Sequence, residues 1–468
     1  MAKDLADGFK DDAVHVSRSF GWKLCIIVAL IAFRCQAISS MSSAISAHPA
    51  SPAISEVQLD SAFNPEFDFL LACCASGSPS ERADRIRRTR PVNWKRVIDL
   101  AEHHGVIPQL YRSLSDTPDV AYPDSLRQSH QTNAPKTLWL TRELSRILEK
   151  LNSGGIVALP YKGPVLAQIL YGNVTQRQFS DLDLLISPFD LPRIKSALAE
   201  LGYEPGIELT EREERDHLDS GYEYTFDSVH GRNLVEVQWR ILPRFYSVDF
   251  EVEGFFDRSI ASTLGGMTFR TLCAEDLLVV LCVHAAKHAW QQLSWLCDIA
   301  ELARSRKIDW HVVQEQARRV GIQRIVAVSF FLAHKLLDAP LPHVLRAQGQ
   351  KGAPSKLCLG GGFAAIENLA NEIIPVLAEG ADYNPESISY FKLMIRGRER
   401  CKDRAKFLWR LIFTPSVGEW SAIPLPSPLF PLYPVIRLFR LMSRLMPLAS
   451  PEKASTKVAS RETSRSGR

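Results

Sequence analysis

The chain is 468 residues long with a formal net charge of +4; 46% of its residues are hydrophobic and 23% charged. That length allows two to four domains with ample core, and the ordinary composition excludes a fibrous, collagenous or low-complexity protein. The charge is slight for this size and does not call for a nucleic-acid partner.

An apolar run at residues 24–33 lies between Lys23 and Arg34. It is too short for a comfortable membrane span of around 20 residues. The stretch before it carries Asp4, Asp7, Asp11 and Asp12 rather than the basic start of a secretory signal. A later start at Met41 would also account for it. Residues 1–55 are expected to be a leader outside the fold. Residues 56–153 read as helical: Asn93-Trp94 opens one helix that breaks at Gly105, and residues 138–151 form another that stops at Gly154-Gly155. His103-His104 are expected on a helix surface or at the edge of the core.

The period changes in residues 154–262. Residues 156–159 and 182–186 are short apolar runs bounded by turn residues, as buried strands are. A helix over 163–171 separates them, and another follows over 188–201. Residues 222–226 and 234–239 are expected to pair antiparallel around a turn at 230–232. Residues 263–414 return to helical spacing from Ala274, interrupted at 340–342 and 360–362. The glycines of the second interruption lack the lysine and hydroxyl residue of a phosphate loop, so they read as a linker. A proline-rich segment covers 415–447, and a polar, basic tail over 448–468 is expected to be disordered. Within the segment, residues 433–446 set Arg437, Arg440 and Arg444 against Ile436, Leu438, Phe439 and Leu441. Two settings stay open: a basic amphipathic helix on a membrane surface, or a helix docked on the body with its arginines in solvent.

Nine cysteines occur with no C-x-x-C pair. Cys73-Cys74, Cys273, Cys282 and Cys297 are expected to be free thiols in a reducing compartment.

The chemistry concentrates between residues 151 and 185. Asp181 and Asp183, two apart at the start of an expected strand, project from the same side of the backbone. Adjacent carboxylates repel unless a cation sits between them; magnesium, or manganese, is the natural occupant because it takes carboxylate oxygens and shares its remaining sites with phosphates. Two-metal phosphoryl transfer needs a further carboxylate on a neighbouring strand, and Glu236 is the candidate. Lys162-Gly163 marks a strand-to-helix turn where backbone N–H groups can approach phosphate, with the lysine as a compact cation. Arg177 is expected to contact phosphate or brace the acid cluster, and Ser180 lies beside the aspartates. His284, Lys287, His288, Gln291, Trp295 and Asp298 fall at helical spacings as a polar stripe. It is read as a cleft wall, Lys287 reaching phosphate, His288 lining a base or acceptor pocket and Asp298 orienting a histidine; an internally satisfied seam between helices is the alternative.

The order of Lys162-Gly163, Leu170-Tyr171-Gly172, Arg177, Ser180-Asp181-Leu182-Asp183 and Leu234-Val235-Glu236-Val237-Gln238-Trp239 resembles the nucleotidyltransferase superfamily, whose fold includes polymerase beta. More narrowly it is similar to the bacterial uncharacterised nucleotidyltransferase family often met near polysaccharide biosynthesis genes. Residues 93–110, 281–302 and 413–441 are similar too, so the resemblance runs from about Phe67 to Leu441. It implies an α+β fold, a short mixed sheet with helices like that of polymerase beta, between N- and C-terminal helical regions. It also implies magnesium-dependent transfer of a nucleotide from a nucleoside triphosphate, with Asp181, Asp183 and Glu236 as metal ligands. Lys162, Gly163, Arg177, Ser180, Lys287 and His288 would surround the triphosphate. The acceptor stays open among a sugar, a lipid-linked glycan, a metabolite, RNA and a protein side chain. The expected location is the cytoplasm, with peripheral contact at the inner face of the membrane through 433–446. The chain departs from the family's pattern at Glu236, an aspartate-type position, and at Gln238, where a histidine often stands. That departure keeps a non-catalytic binding or assembly subunit as the alternative; a toxin-like transferase acting on tRNA or protein is a third reading.

Overall fold

The computed structural model describes residues 64–445, except for 90–91, 230, 342–361, 385–386, 416 and 424. The leader, most of the glycine linker and the basic tail lie outside the described residues. Everything below belongs to the unit Ser61–Arg468.

The N-terminal helices begin where polar caps satisfy the first free N–H groups. The Asn64 side chain accepts from the amide of Phe67 at 2.8 Å, Ser78 and Glu81 form a reciprocal capping box, and Asn93 caps Trp94–His103. The helix expected over 138–151 is longer: it runs Asp124–Ser153, with Pro135 inside it. Its polar first half hid it, because a proline and few apolar positions give no helical period. His104 is not at an edge. It is fully buried, and its Nε2 lies 3.0 Å from the Leu377 carbonyl oxygen.

A five-stranded mixed sheet follows, in the order β1-β2-β5-β4-β3. Its strands are β1 (Ala158–Pro160), β2 (Leu182–Ile186), β3 (Glu204–Pro205), β4 (Glu223–Ser228) and β5 (Gly231–Gln238). Only β2 and β5 run parallel; the other neighbours are antiparallel. β2 is buried along its whole length, which explains its unbroken apolar run. The β4–β5 pair expected from the alternation is present, with a register shift between Phe226 and Ser228.

A second sheet was not foreseen. β6 (Ile260–Leu264) and β7 (Met267–Thr271) form a hairpin around Gly265-Gly266. The boundary expected at 262 falls inside it. Three of the five β6 residues are exposed, so the strand carries little apolar signal.

Among the described residues two large cores and a small cluster of Trp420, Phe430 and Tyr433 hold the unit together. One lies among the N-terminal helices and the helices from Ala274–Lys287 to Cys401–Phe413. The other packs the sheet against the second half of the Asp124–Ser153 helix and against Leu191–Glu200. The residue-433 helix, Tyr433–Leu445, docks on the body with Arg437 and Arg440 turned inward. Arg437 is buried, donates to the Leu411 carbonyl at 2.7 Å and pairs with Glu419 at 3.0 Å. Arg440 joins the same carboxylate at 2.8 Å. Val435 and Phe439 face outward instead. No helix among the described residues is long and apolar enough to cross a membrane.

Candidate active site

Register places the acids. Asp183 on β2 stands opposite Glu236 on the parallel neighbour β5, and Glu223 on β4 stands opposite Gln238 on β5. Side chains two apart share a face, so Asp183, Glu236, Gln238 and Glu223 all project from one side of the sheet, and Asp181 sits one residue before β2. Gly163 makes the approach possible. Its φ of 53° is left-handed, and a Cβ there would lie 2.9 Å from the Asp181 carbonyl oxygen. Only glycine lets the turn after β1 lie against the aspartate loop.

These residues open into a cleft of about 810 Å³. Lys162, Gly163, Arg177, Ser180, Asp181, Asp183, Glu236, Lys287 and His288 all line it. Lys162 Nζ donates to Asp183 Oδ1 at 2.6 Å. The Gln238 amide donates to Asp183 Oδ1 at 3.2 Å and to Glu236 Oε2 at 2.9 Å, while Tyr161 donates its hydroxyl to the Gln238 carbonyl oxygen. Among the described residues no side-chain donor reaches Asp181.

Acidic groups crowd one another here. Burial, then the neighbouring Asp183, raises the Asp181 carboxyl above its usual range. Burial, then Asp183 and Glu223, pushes Glu236 up to about 9. For Lys162 burial acts in the deprotonating direction, but attraction to Asp183, Tyr161 and Glu236 outweighs it and holds the ammonium above its ordinary range. Three carboxyl groups thus share one desolvated site with one ammonium, Lys162, in direct contact with Asp183. As the side chains stand, however, no three His, Cys, Asp or Glu groups among the described residues close on a common point that would hold a metal ion. The tight convergence expected of Asp181, Asp183 and Glu236 is not present, because Lys162 and Gln238 occupy the space beside Asp183.

The polar stripe divides. His284, Lys287, His288 and Trp295 line the cleft; the two imidazoles and the indole pack with centroids 5.0–5.2 Å apart. Burial, then Lys287 and Lys162, depresses His288 to about 3, so it is neutral. Lys287 Nζ donates to the Tyr222 hydroxyl at 2.7 Å. Gln291 leaves the stripe and accepts from the Tyr383 amide at 2.9 Å. Asp298 orients no histidine. It accepts from Arg177 Nε at 3.0 Å and Nη2 at 2.9 Å, and from the Tyr171 hydroxyl at 3.0 Å. Arg177 is therefore tied to Asp298 rather than to the aspartate pair, although it lines the cleft near Asp181. After His288, Ala289 and Trp290 adopt left-handed φ values of 52° and 53°. Such backbone is costly for residues with a Cβ; the Trp290 indole, bonded to Ser329 at 2.8 Å, anchors it.

Sequence reasoning missed Tyr161, Tyr222 and Glu223. Tyr161 follows the β1 run directly, and Glu223 shows the alternation of an expected strand, so strand parity could have flagged Glu223. Nothing local marks Asp298 as the partner of an arginine 121 residues away.

A sheet-borne acid cluster beside a lysine-glycine turn, opening into a polar cleft, is an arrangement suited to binding a phosphorylated substrate. The chain belongs to the uncharacterised nucleotidyltransferase family, whose model matches residues 90–338. That span takes in the whole mixed sheet and every cleft residue named above. No curated protein and no solved structure matches the chain.

Proposed function

We propose that the chain is a magnesium-dependent nucleotidyltransferase that moves a nucleoside monophosphate from a nucleoside triphosphate to a hydroxyl acceptor. The observation that carries this reading is the Asp183–Glu236 register pair on parallel strands, with Asp181 and Lys162 in the same cleft. The donor chemistry suits magnesium or manganese: hard carboxylate oxygens, with Asp181 reached by no side-chain donor among the described residues, though Asp183 and Glu236 must first turn from Lys162 and Gln238. When bound, the ion supplies Lewis-acid stabilisation of phosphate charge and a more acidic acceptor hydroxyl.

The chain's own groups do the rest. Lys162 neutralises phosphate charge on leaving Asp183, and the start of the Gly163–Tyr171 helix favours a negative ligand. Lys287 adds a second cation from the opposite wall. Arg177 is a positioning residue, fixed by Asp298 so that its positive field stays near Asp181. His288 and Trp295 offer flat, neutral faces to a base or acceptor. The acceptor oxygen attacks the α-phosphorus in line and pyrophosphate leaves. A cytoplasmic location and a role in glycan assembly belong to the same proposal.

One observation favours a second reading. The neutral amide of Gln238 bridges Asp183 and Glu236, a closed network suited to a non-catalytic binding subunit. The test is to incubate the protein with each labelled nucleoside triphosphate and a cell extract. The transferase reading expects a labelled acceptor with wild type and none with Asp181→Asn; no labelling with any triphosphate favours the binding subunit.

A further inference from the structure

A second cavity, of about 250 Å³, lies apart from the cleft among the N-terminal helices and the Leu293–Ser305 helix. Arg82, Arg112 and Arg304 line it. Their positive charge is poorly balanced. Arg304 pairs with Glu301 at 2.5 Å, while Arg82 donates Nη1 to the Gly77 carbonyl at 2.8 Å and reaches Asp116 at 3.8 Å. Arg112 makes no ion pair or side-chain hydrogen bond among the described residues. Burial, then Arg112, lowers Arg82 from its ordinary range.

Gln109 gives an independent sign. It lines the same cavity, is 8% exposed, and neither its Nε2 nor its Oε1 has a partner among the described residues. Arg82 Nε is likewise buried without one. A desolvated amide left unpaired is destabilising, and three guanidiniums lining one cavity with Glu301 as its lining carboxylate repel one another. One ligand removes both penalties. Guanidiniums only donate, and their fork matches phosphate oxygens. The amide also accepts, so the ligand carries a hydroxyl beside its phosphate.

We infer that this cavity is a binding site for a small phosphate ester bearing a free hydroxyl, distinct from the cleft. Tyr171 closes one side of it, and the hydroxyl of that tyrosine reaches Asp298, the partner of Arg177. The site therefore adjoins the cleft wall without sharing its acids, and the inference stands whether or not the transferase reading holds.

The test is calorimetric titration of the full chain with glycerol 3-phosphate, inorganic phosphate and glycerol, without divalent cation. The site predicts the order glycerol 3-phosphate, then inorganic phosphate, with glycerol not binding. Arg112→Gln, at an exposed position with no partner to lose, should weaken the ester about tenfold, the value of one charge-assisted contact. Gln109→Leu should bring the ester down to the affinity of inorganic phosphate, and Lys287→Gln in the cleft should leave it unchanged. Ester binding that survives Arg112→Gln and is lost in Lys287→Gln would assign the ligand to the cleft and overturn the inference. So would an absence of ester binding, or a vacant amide satisfied by water alone with equal affinity for ester and glycerol.

Discussion

Asp276 and the acid cluster of the cleft have contrasting surroundings. Asp276, fully buried, accepts from Arg258 through two bonds of 3.0 Å and from the Gln316 amide. Its charge is answered within the fold. In the cleft, Asp181, Asp183 and Glu236 are also desolvated, but among the described residues one ammonium, Lys162, makes the only ion pair with them. A carboxylate whose partners are complete supports stability; a cluster short of positive charge is held in place by the surrounding core and is open to a cationic ligand.

The largest effects should separate the two regions. Asp181→Asn should abolish transfer by roughly two to three orders of magnitude, the several kcal/mol expected of a lost metal ligand, while leaving the urea midpoint unchanged or raised, since repulsion is relieved. Asp276→Asn should do the reverse. It leaves Arg258 and Gln316 with a weaker acceptor, lowers stability by about 2–3 kcal/mol, and leaves turnover per folded molecule intact. Denaturant melts and single-turnover assays on both variants check the pair; a destabilised Asp181→Asn would break the contrast.

A pH series sharpens it. The folded state holds the Glu236 proton up to about 9, whereas the free carboxyl titrates near 4.5. Between these values the folded chain binds more protons than the unfolded one, so this contribution is full below pH 4.5 and is lost as pH rises toward 9. Without divalent cation, Glu236→Gln should flatten the alkaline decline in urea midpoint between pH 5 and 9. A variant that follows wild type across this range would place the decline elsewhere.

The smallest effect concerns the turn. Gly163→Ala meets both a left-handed φ and the Asp181 carbonyl. It should cost about 1–2 kcal/mol in stability, and triphosphate affinity should fall with it; thermal melts and binding titrations report each.

Much of this cleft was legible because its parts are local. Strand alternation put Asp181 and Asp183 on one side of the backbone, Glu236 stood out on a further expected strand, and the lysine-glycine turn sits where an apolar run meets a helix. What was hidden depends on distant partners. Arg177 belongs to Asp298 across 121 residues, and Arg437 turns inward because Glu419 waits 18 residues before it; sequence alone assigns such arginines to solvent or ligand. The β6–β7 hairpin escaped because its strands are half exposed and rich in serine and threonine. His104 looked peripheral beside His103, yet its contact with Leu377 lies 273 residues away.

The most direct test of the central claim, that the sheet-borne acids form a cation-dependent triphosphate site, is calorimetric binding of nonhydrolysable nucleoside triphosphates with and without magnesium. Wild type should bind one of them only with magnesium, and Asp181→Asn should lose that binding while remaining folded. Equal binding without the ion, or full retention in Asp181→Asn, would contradict the account.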